Sequence, residues 1–553
     1  MRKWSLLSIP YVELHCHSGF SFLDGASHPE ELAVRAAEFG YPALALTDHN
    51  GLYGSMEFAH AARRVNVQPI TGAEVTLRDC FPGVEEPEGG HHVTLLAETP
   101  QGYANLCRLL TEAHMGSERG DTRLALPSLL ELSEGLILLS GCAQSPVAAA
   151  MRSSVADGEA FTRKLLDVFG PGSMFMELQD NAVKGDTARN KTLARLAGRM
   201  GLGVVATSNV HYHRPERHRL QDVLVSIKNR ATLDGAHGAR RANKLFHLPE
   251  PWDMRHRFES RPEALTNTLL IAERCAAFDL TEDLGYEFPD FEGSARGGAI
   301  ESLAAMCLAK ITTLYKDGSK EQQDAEDRLH TELRLVDLHG LAGFFLVYRD
   351  IMDLAVSVAR DVRGEAPRAR SGLPPGRGRG SSVSSIICYL IGLSHIDPVK
   401  NNLFLGRFLN EALRSVPDID LDFPRDIREQ LILKVYEKYG FEHTALVCTF
   451  PTYRLKSAVR EIGKSLDLPM GELEKLSKLA EHRSASGLAD EIASLPEFKA
   501  FRRIGRRRSR PAPPYLSARG RNDHFQPSAR GNRPARARRL GRPRVVPMGQ
   551  RLV

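Results

Sequence analysis

Long apolar runs are missing from this 553-residue chain, and no stretch approaches the roughly 20 apolar residues that a membrane-spanning helix needs. The eight cysteines are scattered without a C-x-x-C pair, which argues against a disulfide framework or a zinc ribbon. The N-terminus starts basic but lacks a sustained apolar core and a small-residue cleavage site. These absences predict a cytoplasmic protein that has no membrane partner.

Acidic residues are nearly missing from the end of the chain. From Arg502 onward the sequence holds 16 arginines and a single acid, Asp523. This tail creates the formal net charge of +5, since the first 501 residues alone carry about −10. The basic balance is therefore no evidence for a DNA-binding surface. Two hypotheses explain residues 503–553: a disordered basic arm that binds nucleic acid through its phosphates, or the product of a shifted reading frame.

The length of the chain predicts two to four domains. The first 215 residues alternate β-rich apolar runs with helical patterns, and strands are predicted at 12–15, 43–48, 69–76, 93–97, 136–140, 174–179 and 204–207. Alternation of this kind predicts an α/β fold with parallel packing. Seven units indicate a closed or nearly closed barrel, although an open doubly wound sheet fits almost as well. Residues 215–365 are predicted to be mainly helical.

Candidate metal ligands follow most of the predicted strands, where loops of a β/α barrel converge on one site. They are His15, His17, Asp24, Asp48, His49, Glu74, Cys142, Asn209 and His211. A single H-x-H would more simply be polar residues at a strand end, but recurrence at five strand ends favours a metal site. Imidazole, carboxylate and thiolate together suit Zn²⁺, Mn²⁺ or Fe. His92 does not fit this pattern, because it precedes its strand.

The motifs YVELHCHSGFSFLDGAS, ALALTDHNGLYG, TGAEV, HHVTLLAE, LLSGC and VVATSNVHYH resemble, in this order, those of the PHP (polymerase and histidinol phosphatase) domain. The resemblance implies a (β/α)7 barrel with up to three metal ions. It implies the ligands His15, His17, Asp24, His49, Glu74, His92, Cys142, Asn209 and His211. Asn209 departs from the family, where an aspartate is common, and its neutral amide should bind a cation less strongly. The implied activity is metal-assisted phosphoester hydrolysis, such as removal of 3′ nucleotides, or else a structural metal site.

A second cluster of acids lies in PDIDLDF, residues 417–423. On a strand, Asp418, Asp420 and Asp422 share one face, where three carboxylates repel one another unless cations neutralise them. A solvated edge strand is the simpler explanation, and two-metal nucleotidyl transfer with Mg²⁺ is the functional one. Upstream, GRGSS has the glycines and hydroxyls of a phosphate-binding loop, but it lacks the Walker A ending and could be a plain linker.

The order GRGSS, HIDP and GRFLNEALRSVPDIDLDF resembles the palm of the bacterial polymerase III α-subunit family, and TFPTYRLKSAVREIGKSLDLP resembles the start of its thumb. The resemblance spans residues 11–501 and favours the error-prone branch. It implies DNA primer-template and dNTPs as partners, with a sliding clamp and other damage-tolerance proteins in the full-length form. The implied catalytic carboxylates are Asp418 and Asp420. The implied nucleotide-binding residues are Gly378, Arg379, Gly380, Ser381, Ser382 and Arg407.

These matches predict four regions: a PHP barrel with connecting helices at 10–285, a partial palm at 286–440, a partial thumb at 441–502, and the tail. No acidic strand follows Phe501, so the third catalytic carboxylate and the fingers are not found, and we expect a weak or inactive polymerase. Two other functions remain open. One is a PHP phosphoesterase or 3′–5′ exonuclease. The other is a non-catalytic scaffold whose metals only support the fold.

Overall fold

The computed structural model describes residues 10–480 except 82, 85, 88, 119, 285–297, 365–374, 414–416, 442, 448 and 451. The predicted tail, the last part of the predicted thumb and most of the Gly/Pro loop before residue 375 lie outside these residues. The chain divides into two units, and their described parts are residues 10–284 with 445–480, and residues 298–444. Each unit is described by itself.

A seven-stranded sheet forms the centre of the first unit. Its strands are β1 (Ala43–His49), β2 (Gln68–Arg78), β3 (His91–Ala97), β4 (Leu124–Ala125), β5 (Leu136–Leu139), β6 (Met174–Gln179) and β7 (Gly203–Thr207). The order is β1-β2-β3-β5-β6-β7, and β4 pairs with β2. The helices are Pro29–Glu38, Ser55–Arg64, Pro100–Met115, Leu126–Glu131, Pro146–Ser153, Val155–Phe169, Asp186–Met200, His218–Lys228, Pro251–Arg257, Glu263–Cys275, Leu455–Ser465 and Met470–Leu479. The predicted α/β class is confirmed.

One strand contradicts the prediction that all the strands of the sheet are parallel. β3 is antiparallel to both of its neighbours, β2 and β5, whereas the other main pairs are parallel. The start of β3 therefore lies at the same end of the sheet as the carboxyl ends of β1 and β2. His92, at the second position of β3, pairs in register with Thr76 near the end of β2. Its position before the strand, which did not fit a parallel sheet, is explained by this reversal.

The chain before the first helix joins the two edges of the sheet, β1 and β7. The amide of Ala45 on β1 donates to the carbonyl of Glu13, and the amide of His17 donates to the carbonyl of Val210, just after β7. Bridges in parallel orientation link Glu13 with Leu44 and Cys16 with Val210. Residues 13–17 thus lie between the first and last long strands, and this places His15 and His17 beside both.

One face of the sheet changes from apolar to polar along its length. Because strand side chains alternate between faces, every second residue belongs to this face. At one end it is apolar and packs against helix Glu263–Cys275, through residues that include Ala45, Ile70, Leu96, Phe175 and Val205. At the other end the same alternation presents His49, Glu74, Thr94, Glu177 and Thr207, all but His49 nearly fully buried. The opposite face packs against the other helices as the main apolar core.

The segment 445–480 packs on the rest of the first unit through an aromatic contact. The ring of Phe450 lies 5.6 Å from Phe20, 5.3 Å from Phe22 and 5.0 Å from Tyr53, measured between ring centroids. The amide of Leu233 also donates to a carbonyl at the end of helix Leu455–Ser465. Phe20 and Phe22 belong to the loop that carries Asp24, so this segment contacts the loop that leads to the polar end of the sheet.

We expect Phe450→Ala to lower the free energy of unfolding of the first unit by about 1–3 kcal/mol, because the truncated ring loses its contacts with three aromatic partners. Urea denaturation, monitored by far-UV circular dichroism, would measure the change. Tyr453→Ala is the matched control, since that aromatic side chain is 46% exposed. Equal effects of the two substitutions would contradict the anchoring role of Phe450.

Helices dominate the second unit. They are Gly298–Leu314, Lys320–Leu338, Ala342–Arg363, Ile386–Leu390 and Arg425–Tyr439, and two short strands, β8 (Arg377–Arg379) and β9 (Asp420–Asp422), form an antiparallel pair. Leu303, Cys307 and Ile311 recur at the helical spacing of four and pack into an apolar core with Ile386 and Ile387. None of the helices in the described part of the chain is both long and apolar enough to cross a bilayer.

Candidate functional site

The polar end of the seven-stranded sheet gathers the side chains that the sequence predicts as metal ligands. Glu74 lies at the centre, with its carboxylate oxygens 2.7 Å from His49 Nδ1, 3.2 Å from His92 Nδ1 and 3.4 Å from His15 Nε2. His17 Nε2 lies 3.5 Å from the same carboxylate. Three triplets have ligand atoms within 4.8 Å of one another: His15–His17–Glu74, His49–Glu74–His92 and His17–His49–His211.

Hydrogen bonds decide which nitrogen of the imidazoles faces this cluster. In four rings one nitrogen lies against an acceptor that does not face the other rings. These pairs are His15 Nδ1 with Glu177, His17 Nδ1 with Ser21, His92 Nε2 with Gly89 and His211 Nδ1 with Asn209. The acceptor holds the ring proton, so the second nitrogen of each neutral ring presents its lone pair to the cluster, as in metal-binding histidines.

Several atoms of the cluster lack the partners that their burial requires. Glu74 Oε1 and Asn209 Oδ1 are buried and accept no hydrogen bond. The Nε2 atoms of His15 and His17 are 3.1 Å apart, which would bring two lone pairs together in the neutral tautomers. Unsatisfied buried acceptors each cost about 1–3 kcal/mol, and a divalent cation would satisfy them. The residues present therefore fit metal ions.

The remaining predicted ligands lie around this centre. Cys142 is buried, and its Sγ is 3.6 Å from His92 Nδ1. Asp24 Oδ2 lies 3.3 Å from His49 Nε2 and 3.4 Å from His211 Nε2. Asn209 is 4% exposed and has a positive φ of 48°, a conformation that asparagine adopts more readily than most residues. All nine residues implied by the resemblance thus lie at the polar end of the sheet.

Charge in the cluster is unevenly distributed. Burial lowers the pKa of His15, but the carboxylates of Glu177 and Glu74 outweigh burial and raise it well above the usual value. A metal ion would compete with that proton, so metal affinity should fall at low pH. Burial and the neighbouring cation of Arg241 lower the pKa of His211 to about 4.

Asp48, which closes β1 beside His49, does not face the cluster. Its carboxylate accepts hydrogen bonds from the amide of Ser18 at 2.7 Å and from the hydroxyl of Ser21 at 2.6 Å. Ser21 in turn lies 3.2 Å from His17 Nδ1. Asp48 therefore holds the loop that orients His17. The side chains of Asp48 and His49 point to opposite sides of their strand, because the two residues are consecutive.

Two residues of the site were not found from the sequence. Glu177 contacts His15, and Arg241 contacts Asp24 and His211. The alternation of Phe175, Glu177 and Gln179 along β6 could have indicated Glu177, because a buried strand with two polar residues on one face is unusual. Nothing in the sequence around Arg241 indicates that it reaches the metal ligands.

The second unit brings the acidic strand and the Gly/Arg/Ser loop together. In the pairing of β8 with β9, Arg379 lies opposite Asp420, and its Nε is 3.5 Å from Asp420 Oδ2 and 3.6 Å from Asp422 Oδ1. The three aspartates are exposed, whereas Ile419 between them is 4% exposed. The carboxylates therefore share an open face, as the alternation predicts.

At Gly378 the backbone of this loop lies close to another segment of the same chain. A Cβ atom there would lie 2.9 Å from the carbonyl oxygen of Leu393, and Gly380 has a positive φ of 73°. Ser381 is exposed, but Ser382 is 1% exposed and its hydroxyl donates to the carbonyl of Arg379. Ser382 thus supports the loop, and Ser381 is the hydroxyl that remains accessible.

Arg407 ends the short 3-10 helix Leu405–Arg407 and is exposed. Among the residues that the structure describes, no hydrogen bond or ion pair joins it to Asp418, Asp420 or the 378–382 loop. Its part in nucleotide binding stays a prediction.

A buried carboxylate fixes the chain that follows the loop. Glu332 is fully buried, and it accepts hydrogen bonds from the Ser385 hydroxyl at 2.6 Å and from the amides of Ile386 and Ile387 at 2.8 and 3.2 Å. It therefore caps helix Ile386–Leu390, whose first amides have no partner within the helix. Arg328, one turn earlier, contacts the same carboxylate at 3.3 Å.

We expect Glu332→Ala to lower the free energy of unfolding of the second unit by about 3–5 kcal/mol, since three buried donors and the Arg328 cation lose their acceptor. Chemical denaturation would measure this loss. Asp324→Ala on the exposed side of the same helix is the control, with an expected change within about 0.5 kcal/mol. A similarly small change for Glu332→Ala would contradict its capping role.

Comparison with known proteins gives two family matches. Residues 13–181 match the PHP domain, and residues 301–509 match the bacterial DNA polymerase III alpha NTPase domain. The first match contains most of the metal cluster, and the second contains the loop and the acidic strand.

The chain is also similar to bacterial DNA polymerases. It is 36% identical to an error-prone DNA polymerase of Symbiobacterium thermophilum, over 88% of this chain and 44% of that protein. It is 36% identical to an error-prone DNA polymerase of Cutibacterium acnes, over 87% of this chain and 41% of that protein. It is 29% identical to DNA polymerase III subunit alpha of Aquifex aeolicus, over 91% of this chain and 44% of that protein. The chain thus spans less than half the length of these curated relatives.

Proposed function

We propose that this chain belongs to the bacterial DNA polymerase III α-subunit family and that its second unit carries the nucleotidyl-transfer site of an error-prone DNA polymerase. The proposed substrates are dNTPs and a DNA primer-template, and the proposed role is synthesis across damage in the cytoplasm. The observation that carries the proposal is the pairing of β8 with β9, which sets the Arg379 loop directly against the carboxylates of Asp420 and Asp422.

Each part of this site suits one part of a nucleotide. Asp418 and Asp420 supply exposed carboxylates for Mg²⁺, which when bound would neutralise the triphosphate and activate the primer hydroxyl. Arg379 and the Ser381 hydroxyl offer donors to phosphate oxygens, and Gly378 and Gly380 allow the backbone to turn closely beneath them. The ion pairs of Arg379 with the aspartates are between exposed groups and are therefore weak enough to open for a substrate.

The test is binding of a fluorescent dNTP to the full chain, followed by anisotropy with and without Mg²⁺. We expect binding that requires Mg²⁺ and that EDTA reverses, and Arg379→Ala should weaken it at least tenfold. Primer extension with the same preparation measures whether transfer follows. If dNTP binding were unchanged both without Mg²⁺ and in Arg379→Ala, the assignment of this site would be overturned.

A second function is favoured by the metal cluster itself. We propose that the PHP barrel hydrolyses phosphoesters, with the 3′ end of DNA as the substrate, and that it binds Zn²⁺, Mn²⁺ or Fe. The support is the convergence of four imidazoles on the Glu74 carboxylate, with His15 and His92 at Oε1 and His17 and His49 at Oε2. Metal ions would supply a hydroxide nucleophile and polarise the phosphate. The residues of this chain orient that centre, with Glu177 holding His15 and the Ser21–Asp48 pair holding His17.

Hydrolysis of a 3′-labelled oligonucleotide and of bis-p-nitrophenyl phosphate, with each metal in turn, tests this function. We expect activity that His17→Ala removes while dNTP binding at the second unit persists. The alternative of a non-catalytic scaffold makes a different prediction: chelation lowers the melting temperature, and no hydrolysis appears with any metal.

A further inference from the structure

Arg241 reaches into one corner of the metal cluster. Its Nη2 lies 3.1 Å from Asp24 Oδ2 and contacts His211 Nε2, and these two atoms are 3.4 Å from each other. The guanidinium also lies over the ring of Phe246, 5.2 Å from its centroid, which fixes its approach. Arg241 therefore touches two of the predicted metal ligands at the same time.

The nitrogen of Arg241 stands where a metal ion would bind those ligands. His211 Nδ1 lies against the carbonyl of Asn209, so Nε2 carries the lone pair. An ion at roughly 2.0–2.2 Å from both His211 Nε2 and Asp24 Oδ2 would occupy the space between them. Nη2 already fills that space, and the guanidinium keeps its positive charge at any working pH. A metal ion there would meet both a steric clash and a like charge.

The other ligands of this corner are poor in negative charge. Asn209, whose backbone carbonyl contacts His211 Nδ1, carries a neutral amide, and the oxygen of that amide has no hydrogen-bond partner among the described residues. Asp24 is therefore the single carboxylate among these three, and it also accepts a hydrogen bond from the Gln221 amide at 3.0 Å. The single positive charge of Arg241 is therefore enough to balance the single negative charge of Asp24.

The centre around Glu74 has a different composition. Among the described residues, the ion-pair contacts of Glu74 are with histidines alone, and no arginine or lysine reaches it. Two triplets share this carboxylate, His15–His17–Glu74 and His49–Glu74–His92. Two metal ions bridged by Glu74 would satisfy these triplets without displacing any side chain.

We propose that Arg241 is a built-in cation that takes the third metal position, so that this centre holds two metal ions bridged by Glu74 rather than three. The inference rests on the proposed metal function of the barrel. It assigns Arg241 a positioning role, since the guanidinium keeps Asp24 and His211 in place beside His49 and His17. It also accounts for Asn209, because a second carboxylate is unnecessary where no metal ion binds.

The test is the metal content of the full chain, measured by inductively coupled plasma mass spectrometry after loading with Mn²⁺ or Zn²⁺ and dialysis. We expect about two ions in the unaltered protein and about three in Arg241→Met, which removes the charge at similar volume. Arg240→Met is the matched control, because Arg240 contacts Asp222 at 3.4 Å and none of the ligands, and its content should stay at about two.

Anomalous diffraction from crystals of the unaltered protein gives a second readout that needs no variant. Peaks beside Glu74 and none between Asp24 and His211 support the proposal, even where Arg241→Met fails to fold. Three ions in the unaltered protein, or a folded Arg241→Met that still holds two, would overturn the role of Arg241 and leave the metal centre standing. No bound ion at all would overturn both this role and the proposed metal function.

Discussion

In a chain whose nucleotidyl transfer we expect to be weak, replacing Asp420 by asparagine is expected to lower the remaining rate about a thousandfold, because the site loses one of the carboxylates that hold Mg²⁺ against the triphosphate. The fold should not change. Asp420 is about half exposed, and its recorded ion pair with Arg379 is between exposed groups. Primer extension measures the transfer step, and Mg²⁺-dependent dNTP binding should weaken at least tenfold in the same variant.

Asp422→Asn is the matched control for this experiment. Asp422 lies on the same strand and the same face, its exposure is nearly equal, and Arg379 Nε is 3.6 Å from it against 3.5 Å from Asp420. Removal of either charge therefore changes the surroundings of Arg379 to a similar extent. We expect Asp422→Asn to keep most of the activity. Equal losses in the two variants would mean that the acidic face acts through its general charge, and the assignment of Asp420 would be wrong.

Two simple rules explain why much of both sites could be predicted from the sequence. Loops at the carboxyl ends of the strands of a β/α fold converge on one site, and this predicted the gathering of His49 and Glu74. The alternation of side chains along a strand predicted that Asp418, Asp420 and Asp422 share one face. Strand bounds were also close: the strand predicted at 174–179 is Met174–Gln179.

Strand direction and long-range contacts could not be predicted in the same way. Periodicity has the same form in a parallel and an antiparallel strand, so it gave no reason to reverse β3 and could not place His92. Arg241 is 217 residues from Asp24 in the chain, and Glu332 is 53 residues from Ser385. Such charged residues on helices and loops look like surface groups in a sequence, because only the packed chain shows that they are buried against a partner.

The central place of Glu74 leads to the second large effect. We expect Glu74→Gln to weaken Mn²⁺ or Zn²⁺ binding at least a hundredfold and to lower phosphoester hydrolysis about a thousandfold. The substitution keeps the size of the side chain but removes the charge that two ions would share, and an amide can offer them only one oxygen. Isothermal titration of the metal and hydrolysis of a 3′-labelled oligonucleotide measure the two losses.

Glu177→Gln separates a direct ligand from a group that acts through one. Glu177 is equally buried and lies on the same face of the sheet, but it contacts the proton-bearing nitrogen of His15 at 2.7 Å and not the lone pair. Loss of such an outer partner costs roughly 10–100-fold in metal affinity, so its effect should lie below that of Glu74→Gln. The reverse order would place the metal ions next to Glu177 and away from Glu74. In that arrangement the four imidazole lone pairs could not share one bridging carboxylate, and the two-ion centre would have to be abandoned.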